Sequence, residues 1–461
     1  MPFEFVDNTI IDRNTRKLIR SQAAKGRNVG KKHPSRGRRA TIKADVAKSG
    51  YKTKQLVSQH HHTALPTIEP QVGDSLSVFS LPVESTPGSR TLVQKAFAFL
   101  ISVPHMPGLG NAIDFSVSGS IWIQFWFVDE AYFHCSIAMS IAAKNLLTTN
   151  SEDSTEGLSH LSNSLRLVNQ RLSGGEALSD MTLASVVAML QYERMCGQYD
   201  QGLVHFRGLQ KMVELRGGIS QLMKDKPELA QKIFRADLEF AIYLGLPTRF
   251  SVDEVPGVAS LNWLRERLGT SQISGLLTSQ PFVQLNPRMK EVWTDIMSLT
   301  WFLNEKVADG TKMDGYTYHD TLILIGYRLV HVRPLNTDQT DSFENIIHMG
   351  LLMIMANFLL SLMHRLPDLP LLRQKIGVLA QKEFTEDAEN KEAILWALFM
   401  AEITIFKTSG DEKLTQRIKQ VILSLGLQSW EDVCQNFSKF PWINALHDEP
   451  GRLLWNRLSC T

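Results

Sequence analysis

From residue 91 onward, apolar positions recur with the three- to four-residue spacing of buried helix faces, and alternation of strand type is rare. Leu183, Val186, Val187 and Leu190 stand at i, i+3, i+4 and i+7. Phe206, Leu209, Met212 and Val213 share the face of a second helix, which Gly217-Gly218 ends by supplying backbone of positive φ. The break Cys196-Gly197-Gln198 is short enough to make these two helices an antiparallel pair. The pattern predicts helices over 91–102, 121–148, 156–170, 180–196, 200–216, 227–244, 258–267, 287–305, 318–330, 342–364, 370–381, 388–407 and 411–424. The expected fold is all-α: one large, irregular multi-helix domain over 91–461, without an internal repeat of solenoid length. The most apolar run, 346–363, contains His348 and Asn357 and reads as a core helix in preference to a membrane span.

The first 90 residues read differently. Residues 1–62 form a basic N-terminal arm, expected to be disordered apart from a short helix over 13–24 capped by Asp12 and anchored only by Leu18 and Ile19. Residues 63–90, with Pro66, Pro70, Pro82 and Pro87 among Ser, Thr and Gly, read as a linker. Hydrophobic residues make up 43% of the 461, enough for a sizeable core. The net charge of +2 conceals a division. Residues 13–54 hold fifteen Lys or Arg and a single acid, Asp45, leaving 34 basic and 46 acidic residues for the rest. A basic arm on an acidic body points to a polyanion or an import receptor as the arm's partner.

Within that arm, Lys31, Lys32, Arg36, Arg38 and Arg39 have the spacing of a nuclear import signal, with Arg16-Lys17 as an upstream element. The same cations would neutralise phosphates without choosing a sequence. Arg36-Gly37-Arg38 resembles the core of a minor-groove AT-hook, although Arg39 stands where a proline is usual. The expected localisation is the nucleus. Cys135, Cys196, Cys434 and Cys460 are far apart, none at metal-ligand spacing, and no apolar signal segment opens the chain; a reducing compartment is expected. His60-His61-His62 has no accompanying Cys or acid and reads as linker, so neither metal nor cofactor is expected.

An enzyme would need a site. The sequence has no G-x-S-x-G, H-E-x-x-H or phosphate-loop motif, Gly108-Leu109-Gly110 lacks a third glycine, and His331 in HVRP has no evident nucleophile beside it. No catalytic residue is assigned. The aromatic run Ile121–Phe127 reads as core before pocket, and Arg235, Asp237 and Glu239 read as structural pairs or solvent-exposed groups before effector contacts.

The run QYERMCGQYDQGLVHFRGLQKMVELRGGI, Gln191–Ile219, resembles a helix pair in the regulatory region of fungal zinc-cluster transcription factors. Glu193, Gly197, His205, Gly208, Leu209, Arg216, Gly217 and Gly218 carry the likeness. IFRADLEFAIYLGLPTRF (233–250), LILIGYRLVHVRPL (322–335), AILWALFMAEI (393–403) and FPWINALHDEPGRLLW (440–455) agree in order, as do the opening FEFVDNT and RKLIRSQAAKG. The family's DNA reader uses six cysteines to hold two zinc ions. This sequence has no cysteine before Cys135, so the resemblance implies a regulatory domain without that reader. It further implies a transcriptional regulator of fungal genes, of the kind that acts on metabolic genes including secondary-metabolite clusters. The expected partners are DNA or chromatin, bound weakly and without sequence choice by the protein alone, and other transcription regulators. Homo- or hetero-oligomers remain open; a membrane is not expected. The runner-up is a nuclear helical scaffold or co-regulator that binds another transcription factor and not DNA. An enzyme of unrecognised type is third.

Overall fold

The structure, a computed structural model, describes residues 81–83, 87–102, 108–116, 120–147, 154–268, 282–305, 312–336, 343–360, 368–381, 388–406 and 411–459. All lie within the unit Pro70–Thr461. The expected helix at 13–24, the basic arm, the His tract and most of the linker lie outside the described residues.

The all-α expectation holds. The described residues form seventeen α-helices, two short 3-10 turns and one pair of two-residue strands. The first eight helices are α1 (Pro87–Ser102), α2 (Ile121–Val128), α3 (Glu130–Leu147), α4 (Ser154–Leu172), α5 (Asp180–Met195), α6 (Tyr199–Leu215), α7 (Ile219–Asp225) and α8 (Pro227–Leu244). The others are α9 (Val258–Leu268), α10 (Pro287–Asn304), α11 (Gly315–Val332), α12 (Phe343–Leu360), α13 (Pro370–Gln381), α14 (Ala388–Thr404), α15 (Glu412–Leu425), α16 (Trp430–Phe437) and α17 (Asn444–Ser459).

The differences from the sequence reading have local causes. The single helix expected over 121–148 is two, because Asp129 adopts extended backbone (φ −115°, ψ 114°). Its buried carboxylate accepts from the Tyr132 amide at 2.7 Å, capping α3, and from the Ser185 hydroxyl at 3.1 Å. Arg171 of α4 pairs with it at 2.7 Å, so the break joins three helices. Helix α16 is short and held by a capping box between Ser429 and Asp432. Helix α17, not among the helices the sequence pattern predicts, continues through Pro450. A Cβ on neighbouring Gly451 would approach Trp430 to 2.6 Å, so glycine is needed where the two helices touch. The strands β1 (Ile113–Asp114) and β2 (Met313–Asp314) pair in parallel. Asp314 then caps α11 through the Thr317 amide at 2.9 Å.

The core is continuous across the described helices, with Trp126, Trp293 and Trp396 fully buried. Helix α12, from the most apolar run, is interior: Ile346, Leu351, Leu352 and Met353 are all buried, and it packs on α14. His348, also buried, bonds the Leu329 carbonyl at 3.3 Å. Among the described residues no helix is long and apolar enough to cross a membrane.

Candidate functional site

The segment Gln191–Ile219 folds as the helix pair α5–α6, packed together through a tight turn in which Gly197 takes φ +72°. Glu193 and His205 face each other across the pair, with His205 Nε2 3.9 Å from Glu193 Oε1. Burial raises the Glu193 carboxyl and lowers the His205 imidazole from their usual values, which favours the neutral form of each. Arg216 closes the far end by binding Asp180, at the start of α5, at 2.7 Å; Lys226 reaches the same carboxylate at 3.2 Å. Gly217 and Gly218 take φ +95° and +93°, and the Gly218 amide bonds the Val213 carbonyl at 3.0 Å. Gly208 is exposed, with open space where a Cβ would stand, and packing does not explain it. These residues shape the pair and its turns and do not converge on one point. Lys31, Lys32, Arg36, Arg38 and Arg39 lie outside the described residues.

The polar residues of α8 form a buried frame. Glu239 is 1% exposed and pairs with Arg194 of α5 at 3.3 Å and with Arg235 at 2.8 Å. Arg235 also donates to the Leu359 carbonyl of α12 at 2.8 Å. Asp237 accepts from the Arg249 and Phe250 amides at 2.8 and 3.0 Å and from the Tyr327 hydroxyl at 2.8 Å. Burial, opposed by these bonds, pushes its carboxyl up to about 6. The frame fixes the chain after Gly245 against α11.

One turn before Arg235, Lys232 is half-buried and places its Nζ 6.0 Å from the centroid of the Trp122 ring. Trp122 packs on Phe125 and Tyr132, with centroids 5.9 Å apart in each case. His319 of α11, also half-buried, is held well below its usual value by burial and then by the charges of Arg235 and Lys232. The structure thus brings Lys232 of α8 to Trp122 of α2, with His319 of α11 in the field of Lys232 and Arg235. The sequence reading weighed Arg235 and the aromatic run separately and missed Lys232 and His319. The available signal was a Lys and an Arg one turn apart on a helix that is otherwise largely buried.

A cleft of about 470 Å³ opens between the 3-10 turn Val252–Glu254, α10 and α11. Asp253, Arg288, Glu291, Arg328 and His331 supply its polar lining and Val252, Val258 and Leu324 part of its apolar wall. No Ser, Thr, Cys or Tyr lines it. Among the described residues, no group of three His, Cys, Asp or Glu side chains could hold a metal ion, and Cys135, Cys196 and Cys434 are free thiols.

Asp320, beside this region, gives a pH test of the packing. It is 7% exposed, accepts from Gln231 at 2.8 Å, and is pushed up to about 7, mainly by burial. A folded value above the unfolded one contributes stability below the unfolded pKa, which is lost as pH rises through the folded pKa, here from about 4 to about 7. Asp320→Asn keeps an acceptor for Gln231 and removes the ionisation. Its stability relative to the parent should therefore rise from about pH 5 to about pH 8 in urea unfolding. An unchanged difference would mean that the carboxyl is solvated.

What these helices define is a packed all-α domain with buried ionic struts. Residues 74–289 match the fungal specific transcription factor domain. The match covers α1 through α9 and includes both the helix pair and the frame of α8. The match supports a role in transcription regulation and goes against an enzyme. No curated protein and no solved structure matches the chain.

Proposed function

We propose that this protein regulates fungal genes in the nucleus by docking its helical domain on another, DNA-bound regulator, while its basic arm adds contacts to DNA phosphates. The match of residues 74–289 to the fungal specific transcription factor domain carries this reading. The charge division supports the arm's part, since fifteen cations and one acid in residues 13–54 attract a polyanion. The absence of a six-cysteine cluster from these 461 residues supports the need for a partner. The resemblance to metabolic regulators supports metabolic targets, including a secondary-metabolite cluster. Catalysis has no part in this function. The domain organisation it requires is the basic arm 1–62, the linker 63–90 and the helical regulatory domain 91–461.

The acidic remainder of the chain favours a second reading, a nuclear co-regulator that touches the partner and never DNA. A chromatin-association map of the full chain, compared with one lacking residues 13–54, separates the two. Occupancy that falls on deletion, with nuclear entry restored by an appended import signal, supports the arm's phosphate contacts. Unchanged occupancy supports the co-regulator. No chromatin association by either form contradicts both.

The arm should also direct import. Replacing Lys31, Lys32, Arg36, Arg38 and Arg39 together by alanine should leave the circular dichroism of the protein unchanged. A fluorescent fusion should move from nucleus to cytoplasm. Persistent nuclear accumulation in cells lacking the docking partner would count against the import signal.

A further inference from the structure

A cleft of about 370 Å³ opens where the ends of α10 and α16 meet the start of α17. Its walls are aromatic. Phe437, Phe440 and Trp442 are buried and form its floor, while the Trp301 ring, 45% exposed, stands at its rim. Asp448 is the one charged side chain among the described residues that line it; no Lys, Arg or His does. The Trp442 indole N–H donates to Asp448 Oδ1 at 2.7 Å and so holds the carboxylate against the aromatic floor. The second carboxylate oxygen makes no hydrogen bond, and no Lys or Arg pairs with Asp448 among the described residues.

The helix ends add to this negative charge. Trp301 lies in the last turn of α10, and Phe437 is the last residue of α16. Both helices therefore bring their C-termini, which carry partial negative charge, to the cleft. Only α17 brings its positive N-terminus, and Asp448 stands near that end. A metal ion would find a single carboxylate here, short of an ordinary ligand set. An organic ammonium would use the carboxylate and the ring faces together.

We propose that the cleft between α10, α16 and α17 binds a small molecule carrying a methylated ammonium group, with its positive charge beside Asp448 and its methyl groups against Trp301 and the aromatic floor. Such a group needs no hydrogen-bond acceptor, and it gives Asp448 the counter-charge that the chain does not supply. A volume of about 370 Å³ suits a small ligand of this kind. This binding goes beyond the proposed function and does not depend on it, since it is a property of the helical domain alone.

Ligand-observed NMR titration of the full chain tests it. Choline is the probe, and 3,3-dimethylbutan-1-ol, in which carbon replaces the charged nitrogen, is its neutral counterpart. Choline should bind saturably at one site, at least about tenfold more tightly than the alcohol, as loss of both the charge pair and the cation–π contact implies. Asp448→Asn keeps an acceptor for the Trp442 indole and should weaken choline about tenfold while leaving the alcohol unchanged. Trp301→Leu, at an exposed position, should also weaken choline, whereas Trp301→Phe should retain part of its binding. Circular dichroism and the melting temperature of each variant establish that it is folded. If Asp448→Asn does not fold, the comparison of choline with the alcohol on the parent protein and the Trp301 variants decide. Equal affinity for choline and the alcohol, choline binding unaffected by Asp448→Asn or by Trp301→Leu, or no saturable binding would overturn the proposal.

Discussion

Glu239→Ala is expected to destabilise the protein by about 3–5 kcal/mol, because it leaves two guanidinium groups in the interior without a counter-charge. The parent carboxylate is 1% exposed and lies 3.3 Å from Arg194 and 2.8 Å from Arg235. Arg194 is itself 6% exposed and cannot turn to water without opening the contact between α5 and α8. The loss reflects the uncompensated charges more than the net value of the ion pairs. Removing Arg194 as well should therefore restore part of it: Glu239→Leu with Arg194→Met should be more stable than Glu239→Ala. Urea unfolding of the full chain measures both. A loss below about 1 kcal/mol in the single variant would mean that water reaches the struts.

Phe206→Ala should cost a similar amount, about 3–5 kcal/mol, by a different route. The ring is 1% exposed and stacks on Phe240 of α8 with centroids 5.5 Å apart. Phe240 can lie so close because Gly202, one turn earlier on α6, has no side chain; a Cβ there would meet the Phe240 ring at 3.0 Å. Truncation leaves a void bounded by two helices already fixed by the strut and by the Arg216–Asp180 pair, so collapse around it is limited. A small loss, with the m-value unchanged, would show that the pair α6–α8 repacks freely.

These two sites differ in how far the sequence discloses them. Phe206 was legible because its partners Leu209, Met212 and Val213 follow helical spacing, and all four are buried. The glycines ending α6 were legible because the helical pattern stops there, and both take positive φ. Local pattern failed where a tertiary contact set the backbone. Asp129 breaks a continuous apolar run because Tyr132, Ser185 and Arg171 all bond its carboxylate, and two of those partners are distant in sequence. Helices α7 and α16 have only seven and eight residues, too few for a periodic signal, and Pro450 disguises α17. Trp122, Lys232 and His319 belong to three separate helices, and no local spacing connects them. For Arg235, Asp237 and Glu239 the sequence left structural pairing and solvent exposure open, and the geometry is that of structural pairs.

The central claim is that this protein regulates promoters it does not itself recognise. The direct measurement is binding of the purified full chain to a regulated promoter and to a scrambled duplex over a range of salt concentrations. If about eight charges of the arm engage phosphates, log affinity should fall against log salt with a slope of about −7. The two duplexes should differ little, since phosphate contacts position a protein without reading bases. Adding the partner regulator should raise occupancy on the promoter alone, by linking a weak contact to a specific one. A preference of a hundredfold or more for the promoter by this chain alone, about 2.7 kcal/mol, would contradict the account, because it would require a base-reading element within these residues.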